Sequence, residues 1–134
     1  MNIGEAARVS GVSTKMIRYY EQIALINSAG RTDGNYRSFS AQDVSDLMFI
    51  RRTRSLGFSI STIADLLSLW RDRRRSRTEV AAIVAGRVLD LNARISEMQA
   101  VVDSLAALAE FEIEDRPPGP VLPRPHGAQH APRG

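Results

Sequence analysis

A repeat of apolar residues in the second half of the chain limits the possible folds more than any other feature. Between residues 77 and 112, positions separated by alternating steps of four and three carry nine consecutive apolar side chains. This spacing keeps one apolar stripe along a helix of about 50 Å, which is typical of a coiled coil. Because one helix cannot bury its own stripe, the pattern predicts a homodimer. The residues expected at the dimer contact are Val84, Val88, Leu91, Ile95, Met98, Val102 and Leu105.

Two short helices joined by a glycine turn are predicted at the start of the chain. The first runs to about Ser10, and Gly11 supplies the turn. Ser13 is placed to cap the second helix by accepting a hydrogen bond from a free backbone N–H. Helical spacing puts Ile17 and Tyr20 on the inner side of this second helix.

The outer side of the second helix has the chemistry of a DNA-reading surface. It carries two cations and three hydroxyls, which can reach base edges or phosphates in a major groove. A solvated charged face is the alternative interpretation of this helix taken alone. The candidate DNA-binding residues here are Ser13, Thr14, Lys15, Arg18 and Tyr19.

A short basic hairpin is predicted after the second helix. Asp33, Gly34 and Asn35 form a strong turn signal, because glycine and asparagine tolerate positive φ. The flanking residues Arg31, Tyr36 and Arg37 suit contact with phosphates. Together, the helices and the hairpin have the layout of a winged helix-turn-helix that binds double-stranded DNA.

The chain resembles the MerR family of transcription regulators. The resemblance rests on residues 3–37, with the stretch Met-Ile-Arg-Tyr-Tyr-Glu at 16–21, and on Phe-Ile-Arg-Arg-Thr-Arg-Ser-Leu-Gly-Phe at 49–58. It extends to about Leu122 and is strongest toward the copper-efflux regulators. It implies an antiparallel coiled coil, a promoter with an overlong spacer, and DNA distortion that lets RNA polymerase use both promoter elements.

Two further helices are predicted between the wing and the long helix. Ser76 and Glu79 have capping-box spacing and mark the start of the long helix. Ser40 and Asp43 have the same spacing at the start of the third helix, and Gly57 marks the end of this third helix. Its inward positions are expected to be Val44, Leu47 and Met48, and those of the fourth helix, capped by Ser59, are Ile60, Ile63, Leu66, Leu67 and Trp70, with Trp70 in the core. The family resemblance implies a second wing here, which makes Arg54 and Phe58 candidates for contact with the DNA backbone.

Charge is distributed unevenly along the chain. Residues 1–77 hold 13 basic and 7 acidic side chains, whereas residues 78–134 hold 5 and 8. The first part therefore suits nucleic acid. We predict a mainly α protein with a winged helix-turn-helix domain and connector at 1–75, a dimerisation helix at 76–112, and an effector-loop remnant with a Pro-rich disordered tail at 113–134.

The sequence departs from the copper-efflux regulators at their metal site. The resemblance places the two metal-binding cysteines of those proteins at Glu112, beside Phe111, and at Gly119 or Pro120, and their serine at Arg77. The chain has no cysteine, so the thiolates that select Cu(I) are missing and we predict no metal site. Either Arg77 and Glu112 of opposite subunits form a charge pair in place of the metal bridge, or metal sensing was lost and both are ordinary surface residues.

Other functional classes have little support in the sequence. No catalytic constellation or phosphate-binding loop is visible, so we expect neither an enzyme nor a cofactor. No apolar run is long enough to span a membrane and no signal peptide is visible, which predicts a cytoplasmic protein. The alternatives to a metal-independent regulator are an architectural or excision-type DNA-binding protein, and a regulator that senses a non-metal ligand or a partner protein.

Overall fold

The computed structural model describes residues 1–27 and 38–120, and within these ranges every regular element is a helix. The elements are α1 (Ile3–Ser10), α2 (Thr14–Gln22), α3 (Ala41–Ser55), α4 (Ile60–Arg71), α5 (Arg77–Leu108) and a short 3-10 helix (Ile113–Asp115). The chain divides into two compact units, 1–74 and 75–134. The predicted mainly α fold, with short helices followed by one long helix, is confirmed. The predicted wing lies outside the described residues.

Serine side chains start four of the five α-helices, as predicted. Ser13, Ser40, Ser59 and Ser76 each accept a hydrogen bond from the backbone N–H three residues later. At Ser40 and Ser76 the backbone N–H of the serine in turn donates to the acidic side chain three residues later, which completes a capping box. Local sequence therefore sets where these helices begin.

The first unit surrounds one apolar core. α3 crosses this unit and packs against both α1 and α4, while α1 also packs against α2. The core contains Ala6, Val12, Ile17, Tyr20, Leu25, Ile26, Phe39, Val44, Leu47, Ile50, Ile63 and Leu67. Burial of these side chains holds the helices of this unit together and fixes the orientation of α2.

Two residues predicted to face the core do not. Met48 is 39% exposed, because the buried positions of α3 advance in steps of three through Val44, Leu47 and Ile50, which leaves Met48 on the flank. Trp70 is 65% exposed and contacts the half-buried Phe49 edge-on, with ring centroids 5.4 Å apart. The last turn of α4 thus lies at the margin of the core.

The second unit is built on α5, which ends earlier than predicted. The helix stops at Leu108 instead of residue 112, and its last turn tightens into bonds between residues three apart. The negative C-terminal end of the helix dipole repels acidic side chains, so acidic residues at this point disfavour further α-helix. The acidic residues here are Glu110, Glu112, Glu114 and Asp115. No helix within the described ranges has both the length and the apolar character needed to cross a bilayer.

Candidate functional site

The outer side of α2 is open to solvent along its length. Ile17 and Tyr20 are 0% and 4% exposed, so they anchor the inner side in the core. The candidates Ser13, Thr14, Lys15, Arg18 and Tyr19 are all exposed. The structure therefore brings one ammonium, one guanidinium and a phenol together on the same protruding helix surface. Such a surface can donate hydrogen bonds to guanine edges and to phosphates.

The turn before α2 is held in part by Arg51, a residue that the sequence analysis does not single out. Gly11 has φ of +79°, and its N–H donates to the carbonyl of Ala7. The hydroxyl of the buried Ser10 accepts from Val12 N at 3.1 Å. Arg51 Nε of α3 donates to the Ser10 carbonyl at 3.1 Å. These bonds join the end of α1, the turn and α3 directly in front of α2.

Arg51 could have been recognised from its spacing. It lies four residues after the core residue Leu47 on the same helix, which puts it at the edge of the buried side. By sequence, Arg51 is simply one of the arginines near the C-terminal end of α3, where cations complement the helix dipole. In the structure, Arg51 instead satisfies a carbonyl of another helix.

The remaining DNA-binding candidates lie in two places. Arg54 is exposed at the end of α3, where its Nη1 donates to the Phe58 carbonyl at 2.9 Å across the turn to α4. Gly57 makes that turn with φ of +91°. Arg31, Tyr36 and Arg37 lie outside the described residues.

The predicted dimer stripe is uncovered in the single chain. None of the 32 residues of α5 is buried. The seven predicted contact residues are between 37% and 64% exposed, with Leu91 the least and Leu105 the most exposed. An apolar stripe exposed along a long helix is typical of an interaction surface.

The three effector-remnant candidates lie at the two ends of α5. Arg77 is the first helical residue, following the cap Ser76. Phe111 and Glu112 lie beyond the last turn, with Phe111 43% exposed and Glu112 in extended conformation before the 3-10 helix. Over residues 1–27 and 38–120, no three acidic or histidine side chains cluster as metal ligands.

Family comparisons match both halves of the chain. Residues 1–70 match the MerR HTH family regulatory protein domain, and residues 44–108 match the MerR DNA-binding domain. The chain belongs to the MerR family.

Relatives of this MerR-family chain are named as transcription regulators. It is 47% identical to the heavy metal-dependent transcription regulator 2 of Rhizobium meliloti, over 91% of this chain and 84% of that protein. It is 33% identical to the HTH-type transcriptional regulator CueR of Salmonella typhimurium, over 82% and 80%. A MerR-family regulator from Listeria monocytogenes has a similar structure, with a TM-score of 0.67, 37% identity, and coverage of 79% and 80%.

These findings confirm the family resemblance and the expectation that the chain is not an enzyme. As a MerR-family member, it is a DNA-binding transcription regulator. The resemblance to copper-efflux regulators agrees with the match to CueR. Unlike the copper-efflux regulators that it resembles, this MerR-family chain has no cysteine with which to hold a soft metal.

Proposed function

We propose that the chain is a homodimeric, metal-independent MerR-type regulator. It acts on a promoter whose spacer is too long, by distorting the DNA. The observation that carries the dimer is the uncovered stripe of α5. Residues 1–75 serve as the DNA-binding part, 76–112 as the dimerisation part and 113–134 as an effector-loop remnant with a tail.

Burial of the α5 stripe gives the dimer its driving force. Fully burying one large apolar side chain is worth about 1.5–3 kcal/mol, but the seven stripe residues are 37–64% exposed in the single chain, so each gains about half of that. The two stripes together gain about 10–20 kcal/mol, which is of the size needed to offset the cost of about 4–15 kcal/mol in lost freedom of motion.

Charge favours an antiparallel pairing of the two α5 helices. Arg77 stands at the start of the helix, shortly after Arg73, Arg74 and Arg75 in sequence, whereas the segment after the helix carries four acidic residues. In an antiparallel pair the basic start of one helix lies beside the acidic end of its partner. A parallel pair would place like charges together at both ends.

The DNA-binding mechanism follows from the two α2 helices of a dimer. Two symmetric recognition helices suit a pseudo-palindromic site read in successive major grooves. Lys15 and Arg18 supply contacts from α2, while Arg54 and the wing residues Arg31, Tyr36 and Arg37 supply contacts to the backbone. Untwisting of the central base pairs then brings both promoter elements into reach of RNA polymerase, and specificity is partly indirect.

Metal independence rests on the side chains that stand where the copper-efflux regulators bind their metal. The names of the relatives include heavy-metal dependence, but Cu(I) selection requires soft ligands such as thiolates. In this chain an arginine, a glutamate, and a glycine or proline occupy the corresponding positions.

In vitro transcription tests this function. Chelator-treated protein is assayed with RNA polymerase on a promoter with an overlong spacer, with and without added Cu(I), and on the same promoter with its spacer shortened to the optimal length. We expect activation only on the overlong spacer and the same activity with and without Cu(I). An Arg18→Leu variant, which keeps the buried side of α2, should not activate. Activation that appears only with Cu(I) would refute metal independence.

A further inference from the structure

Helix α2 ends in a turn that an alanine makes in an unusual conformation. Ala24 has φ of +61°, in the left-handed region, and its N–H donates to the Glu21 carbonyl at 3.0 Å. The N–H of Leu25 donates to the Tyr20 carbonyl at 2.8 Å, which completes a Schellman motif. Glycine is usual at the left-handed position, because a residue with a Cβ is disfavoured there by a factor of about 5–30. The exit of α2 therefore contains strained backbone.

Arg71, at the end of α4, bonds to this turn. Its Nη1 donates to the Leu25 carbonyl at 2.8 Å, and its Nη2 donates to Asp46 Oδ2 on α3, also at 2.8 Å. The other carboxylate oxygen of Asp46 accepts a hydrogen bond from Gln42 Nε2 at 2.9 Å. The Asp46 side chain is only 16% exposed and both of its oxygens are bonded, so it holds the guanidinium in place. One guanidinium thus joins the exit of α2 to α3 and α4.

The strained turn depends on contacts from outside α2. Strained backbone persists only where the surrounding structure outweighs its cost. The side chains of Leu25 and Ile26 are 3% and 1% exposed, so the core holds them, while Arg71 supplies the partner of the Leu25 carbonyl. Loss of Arg71 would leave this carbonyl without its charged donor and would let the turn relax.

The exit of α2 lies close to the surface that carries the DNA-binding candidates. α2 has nine residues, so its two ends are about 13 Å apart and neither end is far from Lys15 and Arg18. The chain also continues from this turn to the wing candidates Arg31, Tyr36 and Arg37. A change in the turn would therefore alter the direction of α2 and the point from which the wing segment starts.

We propose that Arg71 is a positioning residue for DNA binding. Its bonds to the Leu25 carbonyl and to Asp46 keep the strained exit of α2 in the conformation that fits DNA, and Arg71 itself does not touch the DNA. The apparent Kd equals the intrinsic Kd divided by the fraction of protein in the binding-competent conformation, so loss of these bonds weakens binding by lowering that fraction. The inference rests on the proposed contact of α2 with DNA.

The test uses the full chain and two DNA duplexes. One duplex carries a pseudo-palindromic site that the unmodified protein has selected from random sequence, and the other carries the same site scrambled. Arg71→Leu should bind the selected duplex about fivefold more weakly. Its affinity for the scrambled duplex and its slope of log affinity against log salt should not change, because no phosphate contact is lost. Arg73→Leu removes the same charge from an exposed residue two positions later, and its affinity should stay within about twofold.

Ala24→Gly separates positioning of the turn from a role in stability alone. Glycine adopts positive φ without strain, so in the Arg71→Leu protein this second change should restore the affinity to within about twofold of the unmodified protein. Arg71→Lys keeps the charge but lacks the planar fork that serves two acceptors, so it should recover less than half of the loss. If Arg71 served stability alone, the folded Arg71→Leu protein would bind DNA normally and Ala24→Gly would have nothing to restore.

Asp46→Asn is a milder variant that tests the same arrangement if Arg71→Leu does not fold. It removes the negative charge beside the guanidinium but keeps a hydrogen-bonding side chain. We expect it to weaken binding to the selected duplex by about threefold, with the salt slope unchanged and with the same recovery from Ala24→Gly.

Four results would overturn the proposal. Normal affinity in Arg71→Leu, with weakened binding in Arg18→Leu, would show that α2 binds DNA without help from Arg71. Normal affinity in both variants would refute the contact of α2 with DNA as well. A salt slope reduced by about one unit in Arg71→Leu would make Arg71 a phosphate contact. A loss that Ala24→Gly does not reduce would mean that Arg71 acts on some part of the fold other than this turn.

Discussion

Arg51 Nε donates a hydrogen bond to the backbone carbonyl of Ser10 at 3.1 Å, joining α3 to the turn in front of α2. The side chain also lies against Gly11, where a Cβ added to the glycine would come within 3.0 Å of Nε. Ser10 is the last residue of α1, so no N–H of the helix is placed to donate to its carbonyl. Arg51 thereby fixes the entry of the chain into the helix that carries Lys15 and Arg18.

Arg51→Leu should weaken specific DNA binding by about tenfold. The bond itself is present with and without DNA, so the loss reflects the cost of about 1.4 kcal/mol of ordering a less constrained α2 on the DNA. Because Arg51 acts through the turn and not through a phosphate, the slope of log affinity against log salt should not change. Binding titrations on a specific DNA duplex at several salt concentrations measure both quantities.

Arg52→Leu is the matched control for that variant. Arg52 is the next residue of α3 and is also exposed, so its replacement removes the same charge without the bond to Ser10. We expect its affinity to stay within about twofold of the original protein. A salt slope reduced by about one unit in Arg51→Leu would mean that Arg51 binds a phosphate directly.

Three glycine-to-alanine variants separate backbone strain from side-chain contact. Gly57→Ala should cost about 1–2 kcal/mol of unfolding free energy, because the φ of Gly57 is +91°. A Cβ added there meets no described atom within 4 Å, so backbone strain accounts for the whole cost. Gly11→Ala carries the same strain at φ +79° and also displaces Arg51, so it should cost about 1 kcal/mol more. Gly4→Ala, in α1 with ordinary φ, should be neutral or stabilising by up to about 1 kcal/mol.

Urea unfolding followed by circular dichroism measures these three differences. The order of stability should be Gly4→Ala, then Gly57→Ala, then Gly11→Ala. If Gly11→Ala and Gly57→Ala were equally destabilised, the contact with Arg51 would contribute nothing to the fold.

Local signals in this sequence predicted local structure correctly. The caps at Ser13, Ser40, Ser59 and Ser76 depend on one side chain and a backbone N–H three residues away, so they are readable without knowledge of the rest of the fold. The long helix was readable because its repeat persists over about four heptads.

Burial and long-range bonds could not be read in the same way. Met48 and Trp70 are apolar, but their exposure depends on where the faces of α3 and α4 meet. The bond from Arg51 spans 41 residues of sequence, so no local pattern marks its two ends as partners. The DNA-binding assignments remain predictions, and those at Arg31, Tyr36 and Arg37 fall outside the described residues.

Ile95→Glu should abolish the dimer. Ile95 is 62% exposed in the single chain and lies at the middle of the repeat between residues 77 and 112, so in an antiparallel pair two such carboxylates would meet in an apolar contact. Leu89→Glu adds the same charge at a residue that is 70% exposed and off the stripe, and the dimer should persist. Sedimentation velocity measures the mass of each variant. A dimeric Ile95→Glu protein would show that the α5 stripe is not the dimer contact.

The proposed charge pair between Arg77 and Glu112 of opposite subunits can be tested by neutralising each residue. Arg77→Ser and Glu112→Gln should each lower transcription from the overlong-spacer promoter, by no more than about fivefold, because an exposed pair is worth about 0–1 kcal/mol. The double variant should match either single variant, since the second change removes nothing further. Glu114→Gln controls for loss of one negative charge in the same segment and should not alter activity.

The free energy of the Arg77–Glu112 pair limits its effect on the conformation of the protein. Moving a two-state switch from mostly one state to mostly the other requires about 5.5 kcal/mol, so a pair of this strength biases the active conformation without determining it. Additive losses in the double variant would mean that Arg77 and Glu112 act separately. Unchanged transcription in both single variants would leave the alternative, in which metal sensing was lost and these are ordinary surface residues.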